Sequence, residues 1–118
     1  MYIIRKSFEF CASHQLEGLC EGHPCMRNHG HNYVLTVELR AKELNAVGMV
    51  RDYRELTPVK RFIEEALDHK NLNDFLPCNP TAENMAKVFF DTFVEKLPEL
   101  YAVEISETPK TSARYERD

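Results

Sequence analysis

The sequence lacks tryptophan, lacks a cluster of basic residues, and contains no apolar run that approaches the length of a membrane span. A transmembrane helix needs about 20 predominantly apolar residues, so none is expected. The net charge is −4 and lysines and arginines are scattered among acids, which argues against a nucleic-acid surface. The first ten residues, MYIIRKSFEF, lack the apolar stretch of a signal peptide. We therefore expect a cytoplasmic protein with a single domain over residues 1–118.

Two segments alternate between apolar and polar residues, which predicts half-buried strands. The first runs from Tyr2 to His14 and the second from His29 to Ala41. A short apolar run at residues 48–50 is expected to extend the same sheet after a turn.

The period then changes to that of helices. Apolar residues recur with helical spacing from Val59 to Leu67, with Thr57 as the expected N-cap. A second helix is expected to begin after Thr81 and to end before Pro98. Two strands close the chain, and Tyr101, Val103 and Ile105 form the expected inward phase of the first. The order strand-strand-helix-helix-strand-strand predicts an α+β fold, an antiparallel sheet with two helices on one face.

The stretch CMRNHGHNY, residues 25–33, carries two histidines one residue apart. On a strand, His29 and His31 point to the same side, which is the inward side of Tyr33. His14 shares the inward phase of the first strand. If the two strands pair antiparallel, the three imidazoles meet at one end of the sheet.

Three neighbouring imidazoles cannot all be charged, and neutral ones suit a divalent cation. Three histidine ligands with an open fourth position are typical of catalytic zinc, whereas structural sites are usually closed by four protein ligands. An isolated HxH pair arises easily by chance. The third in-phase histidine favours a metal site made by His14, His29 and His31.

Of the four cysteines, none of which forms a CxxC pair, Cys25 lies near these histidines, in a loop containing glycine and proline. It is a candidate for a fourth ligand that would close a structural site. It is also a candidate general base, because a nearby dication lowers the pKa of a thiol. We favour the free thiol. His23, in the same loop, is expected to face solvent.

Further candidates are acidic or adjacent to an acid. Asp68 and His69 follow the first helix and can form a dyad in which the carboxylate orients the imidazole, or can simply cap the helix end. Glu107 continues the inward phase of the third long strand, where a ligand, Arg114 or a helix terminus would have to supply a donor. Asp52 is a weaker candidate, as an acceptor for a ligand imidazole.

Together, the in-phase His14, CMRNHGHNY, LDHKNLND (residues 67–74) and SET (residues 106–108) resemble the family of 6-pyruvoyltetrahydropterin and 6-carboxytetrahydropterin synthases. The resemblance covers nearly the whole chain. It implies a single pterin-synthase-like domain with the tunnelling fold. It also implies a homohexamer of two stacked trimers, with sites between subunits.

The resemblance also assigns roles to individual residues. It implies that His14, His29 and His31 bind Zn²⁺, that Cys25 is the general base, and that Asp68 and His69 are a second proton-transfer pair. Glu107 would anchor the amino-pyrimidine edge of the pterin and would also be a catalytic residue, as part of the proton relay. Thr81 falls near threonines that contact the pterin, although Ala82 replaces the second of them here.

The implied activity is that of a zinc-dependent carbon–oxygen lyase acting on 7,8-dihydroneopterin triphosphate. The gap of three residues between Cys25 and HGH resembles the bacterial 6-carboxy type, which also releases acetaldehyde and serves queuosine synthesis. LDHKNL instead resembles the animal 6-pyruvoyl type, which keeps the side chain. We favour the 6-carboxy type. A non-catalytic zinc-stabilised pterin-binding module and a zinc hydrolase are the alternatives from other classes.

Overall fold

In the computed structural model, which describes residues 1–118, five strands form one sheet and two helices pack on one of its faces. The strands are β1 (Tyr2–His14), β2 (His29–Ala41), β3 (Lys70–Asn71), β4 (Leu100–Thr108) and β5 (Thr111–Glu116). Their order across the sheet is β3-β1-β2-β4-β5, and only the short β1–β3 pair is parallel. The predicted α+β class is confirmed.

The long hairpin of β1 and β2 positions the histidines. Its register pairs Tyr2 with Ala41 at one end and His14 with His29 at the other. Because side chains alternate along a strand, Phe10 and Tyr33 face the helices and their rings stack with centroids 5.0 Å apart. The predicted bounds of both strands are confirmed.

The helices are α1 (Thr57–Phe62), which continues as a π-helical turn over Ile63–Leu67, and α2 (Ala82–Phe93). Their apolar residues join the inward face of the sheet in one cluster of 21 buried residues. Thr81 caps α2 as predicted, since its hydroxyl accepts the N–H of Asn84 at 3.1 Å. Neither helix has the length and apolar character that crossing a bilayer requires.

The start of α1 differs from the prediction. Thr57 is the first helical residue and Leu56 precedes it, because a 3₁₀ turn over Tyr53–Leu56 leads into the helix. The carboxylate of Asp52 caps that turn by accepting the N–H of Arg54 at 2.9 Å. Asp52 therefore supports the helix start, and its suggested bond to a ligand imidazole is wrong.

The expected strand at residues 48–50 is also wrong, because these residues belong to a turn. The side chain of Asn45 accepts the N–H groups of Val47 and Met49, and Gly48 has a φ of +87°. Three apolar residues are too few to display a period, and Met49 is exposed.

A bulge in β4 reverses the expected orientation of Tyr101. Leu39 pairs with Leu100 while Glu38 pairs with Ala102, so Tyr101 is the extra residue. Leu100 takes the buried position instead. The Tyr101 ring lies on the outer face, under the guanidinium of Arg40 at 3.5 Å. The inward phase therefore resumes at Val103 and continues to Ile105.

Candidate metal centre and active site

Three imidazoles meet on the helix side of the sheet, at the end where β1 stops and β2 starts. A ring nitrogen of each of His14, His29 and His31 lies within 4.8 Å of one in both of the others. His14 is fully buried and the other two are half-buried. The cross-strand register and the two-residue period together produce this convergence, as the sequence predicts.

Two of these rings have their tautomer set by the backbone. The Nδ1 of His14 lies 2.8 Å from the carbonyl oxygen of Pro80, and the Nδ1 of His29 lies 2.7 Å from that of Arg27. A carbonyl oxygen only accepts, so each Nδ1 carries the proton and donates it. The Nε2 of each neutral ring therefore presents a lone pair to the cluster, as is usual for metal-ligating histidines.

Those two Nε2 atoms lie 2.9 Å apart. Neutral rings in this tautomer cannot form a hydrogen bond between them, because neither Nε2 carries a proton. The Nε2 of His31 is buried and has no hydrogen-bond partner. Burial lowers the pKa of His14 and His31 below the usual value, which disfavours the protonated form of these two rings. A cation bound by all three lone pairs would remove the repulsion between the facing Nε2 atoms and give the His31 Nε2 a partner. This set of donors therefore fits a zinc ion.

Glu107 lies beside this cluster. Its Oε2 is 3.7 Å from the Nε2 of His31, and the carboxylate is one-quarter exposed. With Ala82 and Thr111 it lines a cavity at the start of α2. The expected inward orientation is confirmed, and an anchoring role for Glu107 stays a prediction.

Arg114 is not the partner of Glu107. Its guanidinium donates to Glu38 on the outer face of the sheet at 2.7 and 3.1 Å, and also to Glu116. The register of β5 against β4 places Arg114 opposite Glu104, and Arg114 borders the same cavity as Glu107 without donating to it.

Cys25 lies in a 3₁₀ turn over Pro24–Met26 and is half-buried. Its N–H donates to the Nδ1 of the exposed His23, and its carbonyl accepts the N–H of Leu16 at 2.8 Å. The thiol does not belong to the set of ligand atoms that lie within 4.8 Å of one another. This agrees with a free thiol, and the role of general base stays a prediction.

Asp68 and His69 follow the π-helical turn and attach to the edge of β1. The carboxylate of Asp68 accepts the N–H of Cys11 at 3.0 Å, which lowers its pKa. His69 donates its own N–H to the carbonyl of Cys11 and has a φ of +59°. The two side chains are 3.0 Å apart, so they form the predicted pair. A non-glycine residue in the left-handed region often marks a functional position.

Within one chain, this pair lies apart from the histidine cluster. His69 is largely exposed and borders a cavity with Cys11, Ser13 and Asn32. Those side chains alternate with the inward ones, so this cavity lies on the outer face of the sheet. The backbone of β2 at Gly30 and His31 also lines this cavity, but neither Asp68 nor His69 belongs to the group of ligand atoms at which the three histidines meet.

Sequence patterns do not reveal several parts of the site. The carbonyls of Pro80 and Arg27 are backbone groups without a sequence signal. The hydroxyl of Tyr33 is fully buried and unpartnered beside the rings of His14 and His31, and burial raises its pKa. Its inward phase is visible in the sequence, but its missing partner is not.

Comparisons with known proteins agree with this geometry. The family model described as 6-pyruvoyl tetrahydropterin synthase matches residues 3–118. A 6-carboxy-5,6,7,8-tetrahydropterin synthase from Synechocystis is 37% identical over 98% of this chain and 93% of its own. A 6-pyruvoyl tetrahydrobiopterin synthase from Dictyostelium discoideum is 34% identical over 77% of this chain and 72% of its own. The solved structure of 6-pyruvoyl tetrahydropterin synthase from Caenorhabditis elegans superposes with a TM-score of 0.86 at 29% identity, over 99% of this chain and 96% of that one.

Proposed function

The chain belongs to the 6-pyruvoyl tetrahydropterin synthase family, and we propose that it is a zinc-dependent lyase of the 6-carboxy type. The substrate is 7,8-dihydroneopterin triphosphate. Overall, one water is taken up, triphosphate and acetaldehyde leave, and 6-carboxy-5,6,7,8-tetrahydropterin remains as a precursor for queuosine.

The observation that carries this proposal is the convergence of three imidazoles, two of which have their tautomers set by carbonyls. His14 and His29 hold their Nε2 lone pairs toward each other, and His31 offers an unpartnered Nε2 beside them. When bound there, zinc supplies a Lewis acid that polarises the side-chain oxygens of the substrate and acidifies the adjacent C–H.

The remaining groups take part in proton transfer and orientation. Cys25 removes a proton from the substrate side chain, and the Asp68–His69 pair moves protons on the other face. Asp68, which accepts the N–H of Cys11, is held ionised and orients the His69 imidazole. Glu107 accepts the amino-pyrimidine N–H groups of the pterin, and Thr81, which directly precedes the cavity-lining Ala82, contacts the pterin beside it.

Two features support the 6-carboxy branch over the 6-pyruvoyl branch. The Synechocystis relative aligns with nearly the whole chain, whereas the Dictyostelium relative aligns with about three quarters of it. Three residues separate Cys25 from the HGH motif, as in the bacterial type.

The separation of the Asp68–His69 pair from the histidine cluster supports a site shared between copies of the chain. The exposed His69 presents its ring to the outer side, where a neighbouring subunit can complete a site. We therefore propose a homohexamer of two trimers. Mixing inactive Cys25→Ala and His69→Ala chains through a denatured state should restore part of the activity, since mixed assemblies contain sites with both residues. No restoration would contradict a shared site.

The decisive experiment combines metal and product analysis. Purified protein should contain about one zinc per chain by mass spectrometry of the metal. Incubation with 7,8-dihydroneopterin triphosphate should give the mass of 6-carboxytetrahydropterin together with acetaldehyde. Cys25→Ala should keep its zinc and lose turnover by orders of magnitude, while the loop variant Cys20→Ala serves as a matched control and keeps both.

Other outcomes separate the alternatives. A pyruvoyl product would favour the 6-pyruvoyl type, which the LDHKNL stretch resembles. Zinc with unchanged substrate would indicate a non-catalytic pterin-binding module. Turnover that survives in Cys25→Ala would indicate a hydrolase that uses water. A protein that binds no zinc would refute the proposal.

A further inference from the structure

Residues 15–17, which follow His14 directly, are hydrogen-bonded like a strand although their partners are side chains. Asn73 accepts the N–H of Gln15 through Oδ1 and donates to its carbonyl through Nδ2, both at 2.8 Å. Asn79 does the same to Glu17, at 3.0 and 3.1 Å. These four bonds, which we call the asparagine clamp, continue the edge of β1 where β3 has ended.

A primary amide is suited to this task because it offers the same acceptor and donor as a peptide group. The residues bonded are 15 and 17, which present their N–H and C=O groups to the same side in a strand. Leu16 presents its N–H to the opposite side, where it donates to the carbonyl of Cys25 at 2.8 Å. The segment thus lies between the clamp and the turn that carries the Cys25 thiol.

The clamp is connected to the metal centre by the chain itself. Pro80, next to Asn79, provides the carbonyl that accepts the Nδ1–H of His14. The carbonyl of Asn79 accepts from the N–H of Thr81 and the side chain of Asn84, which ties the clamp to the start of α2. Movement of Asn79 would therefore disturb both Glu17, three residues after His14, and the neighbouring Pro80 carbonyl that sets the His14 tautomer.

The loop over residues 15–28 has few other restraints. Most of its residues are exposed, and it contains no buried one. Gly18 and Gly22 both have a positive φ, a conformation that glycine adopts without the steric cost of a side chain. Hydrogen bonds are therefore the main restraint on this loop. The clamp supplies four of them, to Gln15 and Glu17, and Leu16 between these residues donates to the carbonyl of Cys25.

We propose that Asn73 and Asn79 are positioning residues of the metal centre. They fix the backbone between the ligand His14 and Cys25, and thereby set the orientation of the imidazole and the distance of the thiol. This inference rests on the proposed zinc site.

The test compares metal binding in Asn73→Ala/Asn79→Ala with that in Asn45→Ala. Asn45 is a matched control, because its side chain also makes two bonds to backbone N–H groups but lies beyond the other end of β2. Zinc affinity is measured on metal-free protein by competition with a chromophoric chelator. The visible spectrum of the cobalt-substituted protein reports the ligand geometry. Hydrogen exchange of residues 15–28 reports the state of the loop.

We expect the double variant to bind zinc about 10- to 100-fold more weakly, the range usual for groups that orient metal ligands. Its cobalt spectrum should change and the amides of residues 15–17 should lose protection. The control should stay within twofold of wild type. The double variant Asn73→Asp/Asn79→Asp fills the same space without the N–H donors and should behave like the alanine double variant. If the alanine double variant does not fold, the aspartate double variant is used for the test instead.

Two results would overturn the inference. If wild type binds zinc and the clamp variants bind it within twofold, with or without a change in exchange, the asparagines do not position the site. If wild type itself binds no zinc, the proposed function and this inference fail together.

Discussion

Glu38 is a buried carboxylate on the outer face of the sheet, and its substitution gives a prediction whose size follows from its contacts. The side chain is 1% exposed and accepts from Arg5 at 2.8 Å, Arg40 at 2.9 Å and Arg114 at 2.7 and 3.1 Å. These guanidiniums, led by Arg114, lower the pKa of Glu38 from 4.5 to about 2. A tenfold change in proton affinity is worth about 1.4 kcal/mol, so the charged form contributes about 3 kcal/mol at pH 7.

Glu38→Gln keeps the shape and removes the charge. We expect it to lower the free energy of unfolding by about 3 kcal/mol at pH 7. Because the folded pKa lies below the unfolded one, this contribution is present above pH 4.5 and is lost as the pH falls toward 2. With these pKa values, about 1.4 kcal/mol of the difference between wild type and variant should remain at pH 3.

The assay is urea unfolding of metal-free protein at fixed chain concentration, at pH 7 and at pH 3, so that metal loss and dissociation do not enter the comparison. Asp91→Asn is the control, since its bond to Lys87 lies on the exposed face of α2. The control should cost less than about 0.5 kcal/mol at either pH. A Glu38→Gln cost below 1 kcal/mol at pH 7, or a cost equal at both pH values, would refute the assignment of stability to this carboxylate.

Two further predictions concern groups near the proposed site that lower the stability of the fold. Tyr33→Phe removes a buried hydroxyl that has no partner, so urea unfolding of the metal-free protein should show a gain of about 1 kcal/mol; a loss would reveal a partner for that hydroxyl. His69→Gly relieves the strain of a φ of +59°, so its melting temperature should equal or exceed that of wild type while turnover disappears; a lower melting temperature would show that the His69 side chain stabilises the fold.

The sequence predicts the hairpin and the histidine cluster well because both depend on one simple rule. Alternation over thirteen residues of β1 and of β2 fixes which side chains face inward, and pairing of the two strands then places His14 opposite His29. The second helix is equally clear, since its buried stripe and its Thr81 cap are both local signals.

Other parts of the structure depend on contacts that no local pattern contains. The bulge that turns Tyr101 outward is a change of register between β2 and β4, and alternation continued through it gives the wrong face. The clamp joins Asn73 to Gln15 and Asn79 to Glu17 across separations of 58 and 62 residues. β3 has two residues, which is too short for a period to appear.

The groups that cost stability are concentrated at one end of the sheet. There, two Nε2 lone pairs face each other, the Tyr33 hydroxyl and the His31 Nε2 are buried without partners, and His69 is strained. Toward the other end of β2, Glu38 accepts four charge-assisted hydrogen bonds, and the neighbouring inward residues Val37 and Leu39 are buried in the core. Binding a cation would relieve the histidine contacts, whereas the Tyr33 hydroxyl has no partner within the chain. Unfavourable groups at one end of a sheet persist only when the surrounding structure holds them in place, and the well-bonded end around Glu38 supplies that support.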